Sequence, residues 1–132
     1  MSASGGERIV VGVDGSEHSK VALRWALREA VLRGAELDVL HVSSPSEPSS
    51  AQLADARHLE TLVQQVVGED VSVAVHHRLV EGPPAQALLE AAKRCDLLVV
   101  GSHGHRAFGG LRLGSVSQQV ADHAPCSVVV VR

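Results

Sequence analysis

The chain is 132 residues long, 45 % apolar and 2 % aromatic, with a formal net charge of −3 when histidine is neutral. That length is one ordinary domain with a core of its own, while the charge leaves no electrostatic footprint for nucleic acid and Trp25 and Phe108 alone make no stacking platform for single strands. No apolar run reaches membrane-spanning length and the N-terminus has no signal-like apolar region, so the expectation is a soluble, cytoplasmic protein that avoids membranes.

A core built from valine, leucine and alanine suits a parallel sheet covered on both faces. Residues 1–6 (MSASGG) are small and polar and read as a disordered tip, which leaves 7–132 as a single domain. Arg8 to Asp14 (RIVVGVD) is a short buried strand ended by an Asp-Gly turn. Ser16 to Arg33 is helical, with a polar stripe Lys20, Arg24, Arg28, with Val21, Trp25, Ala22 and Ala26 beside it, and with Gly34 as its stop. Glu36 to Ser43 is a second strand, followed by the polar loop SSPSEPSS. Ala56, Leu59, Leu62, Val63 and Val66 mark one face of a second helix that Gly68 ends. Val71 to Val80 is a third strand, and Gly82-Pro83-Pro84 opens a third helix whose Ala85, Leu88, Leu89 and Ala92 face inward. Asp96 to Gly101 is a fourth strand, Ser115 to His123 a short helix, and Ser127 to Arg132 a fifth strand. Strands alternating with helices give an α/β fold with a parallel sheet and right-handed crossovers.

Two strand ends carry unusual residues. The first strand runs into Gly12-Val13-Asp14-Gly15-Ser16, and the fourth into Gly101-Ser-His-Gly104 with Gly114-Ser115 beyond. Ligands of open parallel sheets bind beyond the carboxyl ends of the strands. Gly101 and Gly104 allow tight turns and close backbone approach, and Gly114 does so at the entry to the last helix. Ser115 either caps that helix or donates to a phosphate, and Arg106 and Arg112 are placed to offset phosphate charge. The other reading of the same segment is a glycine-rich loop with an ordinary serine cap. The chain has no G-x-x-x-x-G-K-[ST] and no G-x-G-x-x-G in the first turn, which removes the P-loop reading and weakens the dinucleotide one. Asp14 would repel phosphate and makes better sense on a ribose hydroxyl or a base; it also reads as a turn residue or helix cap.

VVGVDGSEHS at the first strand, VLHV in the second, VVGSHG, and LGSVSQQVADHAPCSVVVV at the end, with the spacing G-x2-G-x9-G-[ST], together resemble the universal stress protein family over essentially the whole chain. The resemblance implies an open, Rossmann-like, five-stranded sheet of order 3-2-1-4-5 with helices on both faces. It implies ATP binding, since members that retain the glycine motif resemble ATP binders. By position, Asp14 would meet the ribose or adenine and Val42 would offer its backbone to the adenine. Gly101, Gly104, Gly114, Ser115 and Val116 would hold ribose and phosphates; from the residues themselves, His103, His105 and Arg106 of the same loop are read as further phosphate contacts, with solvent contact the other reading for the two histidines. Gly12, inside the first strand, would permit close approach of the nucleotide. The position after the second glycine is often arginine in the family; here it is His105, with Arg106 next, which makes charge compensation weaker or pH-dependent.

Other chemistry finds little support. His76 and His77 are strand neighbours on opposite faces and cannot grip one ion. His103 and His105 have no carboxylate or cysteine cluster beside them, so no metal site is assigned, and Mg²⁺ would arrive with ATP. Cys95 and Cys126 lie far apart in sequence beside apolar runs and read as buried thiols. No nucleophile is matched with a base and an orienting acid; Ser115 and His103 read better as phosphate contacts, and no catalytic residue is assigned. Val128 to Val131 would form a sheet edge in the family's order, and pairing it with a second copy across a two-fold axis gives a homodimer. The resulting expectation is an ATP-dependent stress sensor or regulator. The rivals are a slow ATPase or nucleotidyl-transfer enzyme, and a nucleotide-free dimeric interaction module.

Overall fold

The computed structural model describes residues 6–14, 17–43, 57, 60, 61, 63–65, 73–102 and 114–132. Five strands, β1 (Arg8–Val13), β2 (Glu36–Ser43), β3 (Val75–Glu81), β4 (Leu97–Gly101) and β5 (Ser127–Val131), alternate with helices α1 (Glu17–Arg33), α2 (Pro84–Ala92) and α3 (Ser115–His123). The strands form one parallel sheet of order β3-β2-β1-β4-β5. This is the expected α/β architecture.

The sheet buries two cores because its strands alternate at period two. On one face Ile9, Val11, Leu37, Val39, Leu97 and Val99 meet Ala22, Leu23, Ala26 and Ala30 of α1, together with Val63. On the other, Val10, Leu40, Leu98 and Val100 meet Leu88 and Ala92 of α2 and Val120 of α3. Each fully buried valine or leucine contributes about 1.5–3 kcal/mol, so the fold rests on these aliphatic layers. The division follows from handedness: steps from β1 to β2 and from β4 to β5 run in opposite directions, and right-handed crossovers then place α1 and α3 on opposite faces. Helix α1 ends at Gly34 in a Schellman arrangement, with Ala35 N–H donating to the Ala30 carbonyl at 2.9 Å and Gly34 N–H to Val31 at 3.4 Å.

Several boundaries differ from expectation. β3 begins at Val75 rather than Val71, because its register starts at Leu37↔Val75, with Leu37 N–H bonding the Ala74 carbonyl at 3.0 Å. β4 begins at Leu97 because Asp96 is engaged with Arg8 instead. The Asp96 N–H donates to the Arg8 carbonyl and its Oδ2 accepts from Arg8 N–H, both at 2.8 Å. Leu89, expected inward, is only partly buried, and Val21 is 41 % exposed. The thiols of Cys95 and Cys126 are only half-buried and are not separate; their sulfurs stand 3.8 Å apart. Residues 57, 60, 61 and 63–65 are helical, as expected for the second helix. The assignments at residues 1–5, Gly15, Ser16, Ala56, Leu59, Leu62, Val66 and Gly68, and the loop SSPSEPSS beyond Ser43, fall outside the described residues.

Candidate functional site

The carboxyl ends of β1 and β4 are neighbours. Their ladder runs Ile9↔Leu97, Val10↔Leu98 and Val11↔Val99, and the same offset carried onward sets Val13 level with Gly101. From this point the chain turns one way toward β2 and the other way toward β5, which opens a crevice at the switch in strand order. Asp14 follows β1 there and is half-buried.

Gly101 is where the two halves touch. A Cβ at Gly101 would lie 3.0 Å from the His18 carbonyl oxygen and 3.1 Å from its carbon, so the first turn of α1 rests directly on the end of β4. The next residue, Ser102, is almost fully buried. Its N–H donates to the Val131 carbonyl at 2.8 Å, and its own carbonyl accepts from Gly114 N–H at 2.7 Å. The glycine-rich segment thus leaves the sheet and returns to it across one peptide hydrogen bond. The Ser117 hydroxyl adds a second tie by donating to the Gly101 carbonyl.

Helix α3 starts from this closure. Gln118 N–H donates to the Gly114 carbonyl at 3.0 Å, which makes Gly114 the N-cap. Ser115 is therefore the first helical residue, exposed, and not the cap that the sequence suggested. A glycine cap has no side chain to accept from the first-turn amides, so those donors face outward with the positive end of the helix dipole. Val116 packs its side chain on the second core and offers the crevice only its backbone.

Gly12 also has a packing role. The place of its missing Cβ is taken by Leu88, whose Cδ2 would lie 2.9 Å away. Its smallness admits α2 onto the sheet. Val42 lies one residue before the end of β2, half-buried against the second core and paired with Val80. One residue earlier, His41 contributes a contact that sequence reasoning missed. Its Nδ1 is 3.0 Å from the Val13 carbonyl, which can only accept, so Nδ1 carries the proton. The signal was the register Val13↔His41, which only pairing reveals.

The structure therefore brings Asp14, Val42, Gly101, Gly114, Ser115 and Val116 to one end of the sheet. His103, Gly104, His105, Arg106 and Arg112 fall outside the described residues. Among the described residues no group of three or more His, Cys, Asp or Glu side chains is arranged to hold a metal ion. A separate groove of about 890 Å³ lies between β3 and α2, lined among others by Asp38, His77, Arg78, Gln86 and Glu90, and contains none of the crevice residues. Among the described residues no helix is long and apolar enough to cross a membrane.

Comparison with known proteins agrees with this geometry. The sequence profile of the universal stress protein family matches residues 6–132. A universal stress protein of Mycolicibacterium smegmatis is 41 % identical over 94 % of the chain, which spans 45 % of that relative's length. The chain thus covers about half of the mycobacterial relative. The universal stress protein UspA from Lactobacillus plantarum superposes with a TM-score of 0.85 at 28 % identity, covering 96 % of this chain and 97 % of its own. A universal stress protein solved in complex with cAMP superposes with a TM-score of 0.71 at 31 % identity, covering 96 % and 97 % respectively. With its sheet order, its crevice and a family match over nearly its whole length, the chain belongs to the universal stress protein family.

Proposed function

We propose that this chain binds an adenine nucleotide, ATP, in the crevice between β1 and β4 and acts as a nucleotide-dependent regulator of a stress response. The observation that carries the reading is the closure Ser102–Gly114, which holds an uncapped helix N-terminus beside the end of β1. The G-x2-G-x9-G-S spacing and the cAMP complex of a relative support it. Gly101, His103, Gly104, His105, Arg106, Gly114 and Ser115 form the phosphate end, with Val116 contributing its backbone. Asp14 and the Val42 backbone form the ribose and adenine end, with Gly12 behind them admitting Leu88. Mg²⁺ would enter with the phosphates and need few protein ligands.

The nucleotide would contact residues 103–113 and so set the surface they present to a partner. The protein would act in the cytoplasm as a single 7–132 domain, paired through Val128–Val131 into a homodimer. β5 supports that pairing: it is the edge strand of the sheet and its four valines are only half-buried. No catalytic residue is assigned, and ATP hydrolysis would be slow at most. Titration of the purified chain with ATP tests the reading, with binding in the micromolar range expected, roughly −8 kcal/mol. Absence of binding at millimolar ATP overturns it. The double variant Gly114→Ala, Ser115→Ala should weaken binding about tenfold, or about 1.4 kcal/mol, and unchanged affinity would remove these residues from the site.

A further inference from the structure

We infer that Cys95 and Cys126 are a built dithiol pair, a modification site that hydroperoxides convert reversibly to an intrachain disulfide. The two residues are 31 apart in sequence, yet their sulfurs lie 3.8 Å from one another. The cause is topological. Cys95 stands just ahead of β4 and Cys126 just ahead of β5, and these strands pair in register from Leu97↔Ser127 onward. The same offset sets Cys126 level with Asp96, so the two cysteines are diagonal neighbours one residue apart in register; an inter-strand spacing of about 4.8 Å and a rise of about 3.3 Å keep such neighbours inside the Cα separation of roughly 4.4–6.8 Å that a cystine spans. Bond formation therefore asks for side-chain rotation rather than movement of the sheet.

Nothing else claims these thiols strongly. Cys95 Sγ lies 3.8 Å from the Ala92 carbonyl and Cys126 Sγ 3.4 Å from the Ser127 carbonyl, both weak thiol donors. No third ligand joins them among the described residues, which disfavours a metal. Burial, and then the neighbouring Cys126, push the Cys95 thiol up to about 12, so it stays protonated at neutral pH. The first attack on the oxidant accordingly falls to Cys126, whose sulfur contact with the Ser127 carbonyl is exposed where that of Cys95 with Ala92 is part-buried.

The chemistry balances with a hydroperoxide as the two-electron oxidant. The Cys126 thiolate attacks a peroxide oxygen, the O–O bond breaks, and the leaving oxygen takes a proton to give water or an alcohol. Cys126 is then a sulfenic acid. Cys95 sulfur attacks the Cys126 sulfur, the S–S bond forms, the S–O bond breaks, and hydroxide leaves with the Cys95 proton as water. Two thiols have lost two hydrogens and two electrons, and the peroxide has gained them. The resulting ring encloses β4, α3 and the residues from Gly101 to Ser115, and clamps the foot of the β4–β5 pair. The inference stands without the nucleotide reading.

The test uses the reduced, full-length chain, treated with stoichiometric hydrogen peroxide, quenched with N-ethylmaleimide and digested with trypsin. The expected product joins peptide 95–106 to peptide 113–132 within one chain, two hydrogens lighter than the separate thiol peptides and restored by dithiothreitol. The oxidised chain should melt higher by roughly 5 °C. In Cys95→Ser, dimedone should trap a sulfenic acid at Cys126 that the wild-type chain resolves. Sulfinic or sulfonic acid without the joined peptide, a disulfide between two chains only, or two unreacted thiols would each overturn the inference.

Discussion

At the amino ends of its strands the sheet is tied by charge and by side chains, while at the carboxyl ends it is tied by backbone and by small residues. At the amino end Arg8 and Asp96 exchange two hydrogen bonds of 2.8 Å. Glu36 pairs with Arg8 at 3.5 Å and with His76 at 3.3 Å, and Arg33 pairs with Glu7 at 3.0 Å. At the carboxyl end Gly101 lies under the His18 backbone, Ser102 meets Gly114, and His41 holds the Val13 carbonyl. The difference follows from helix direction. α1 and α3 begin at the carboxyl end and present their positive termini there, whereas α1 finishes at the amino end, where Arg33 complements its negative terminus. One end of the same strands serves cohesion, and the other keeps backbone donors turned outward. That division puts the donors an anion needs at one end only.

The sharpest way to break this comparison is Gly101→Ala. The new methyl would meet the His18 carbonyl at 3.0 Å, and a helix backbone yields less easily than a side chain. Overpacking of this kind costs about 1–3 kcal/mol. We expect that loss in urea unfolding together with at least a tenfold loss of ATP affinity, roughly 1.4 kcal/mol. Unchanged values in both would show that the carboxyl end is not close-fitted. Asp96→Ala attacks the other end. It leaves the Arg8 N–H without its side-chain acceptor, at a cost of about 1 kcal/mol. ATP affinity should stay at the wild-type value, and a parallel fall would mean the two ends are coupled.

The smallest effect is expected from Glu36→Gln, and it carries a pH signature. His76, and then Arg8, hold the Glu36 carboxyl below its usual range. A carboxyl lowered on folding stabilises the fold above its unfolded value and loses that contribution as pH falls through the folded value. The melting difference between wild type and Glu36→Gln should therefore be present at neutral pH and vanish in acid, below the ordinary carboxyl value of 4.5. The pair is solvent-exposed, so the shift should be small. A difference that persists undiminished well below that value would contradict the pairing.

The layers of this fold are legible because they are written locally. Continuous apolar runs in β1 and β4 report strands buried on both faces, and α3 stands from Ser115 to His123 as the sequence places it. The strand order came from family resemblance and agrees with the sheet. What the sequence conceals is whatever one strand does to the next. Leu88 filling the space at Gly12, His41 reaching Val13, and Cys95 meeting Cys126 all join residues distant along the chain. Ser115 is not the cap its residue type suggests, for a related reason. The cap is Gly114, held by its tie to Ser102, which no local pattern encodes.

That tie has a further consequence. Because Ser102 and Gly114 meet directly, neither the sheet nor α3 depends on how many residues are strung between them. Ser102 and Gly114 form a fixed socket that is closed without the residues from 103 to 113. Segments of other length and composition could be exchanged there with the scaffold unchanged, so ligand preference can diverge among relatives while their cores stay superimposable.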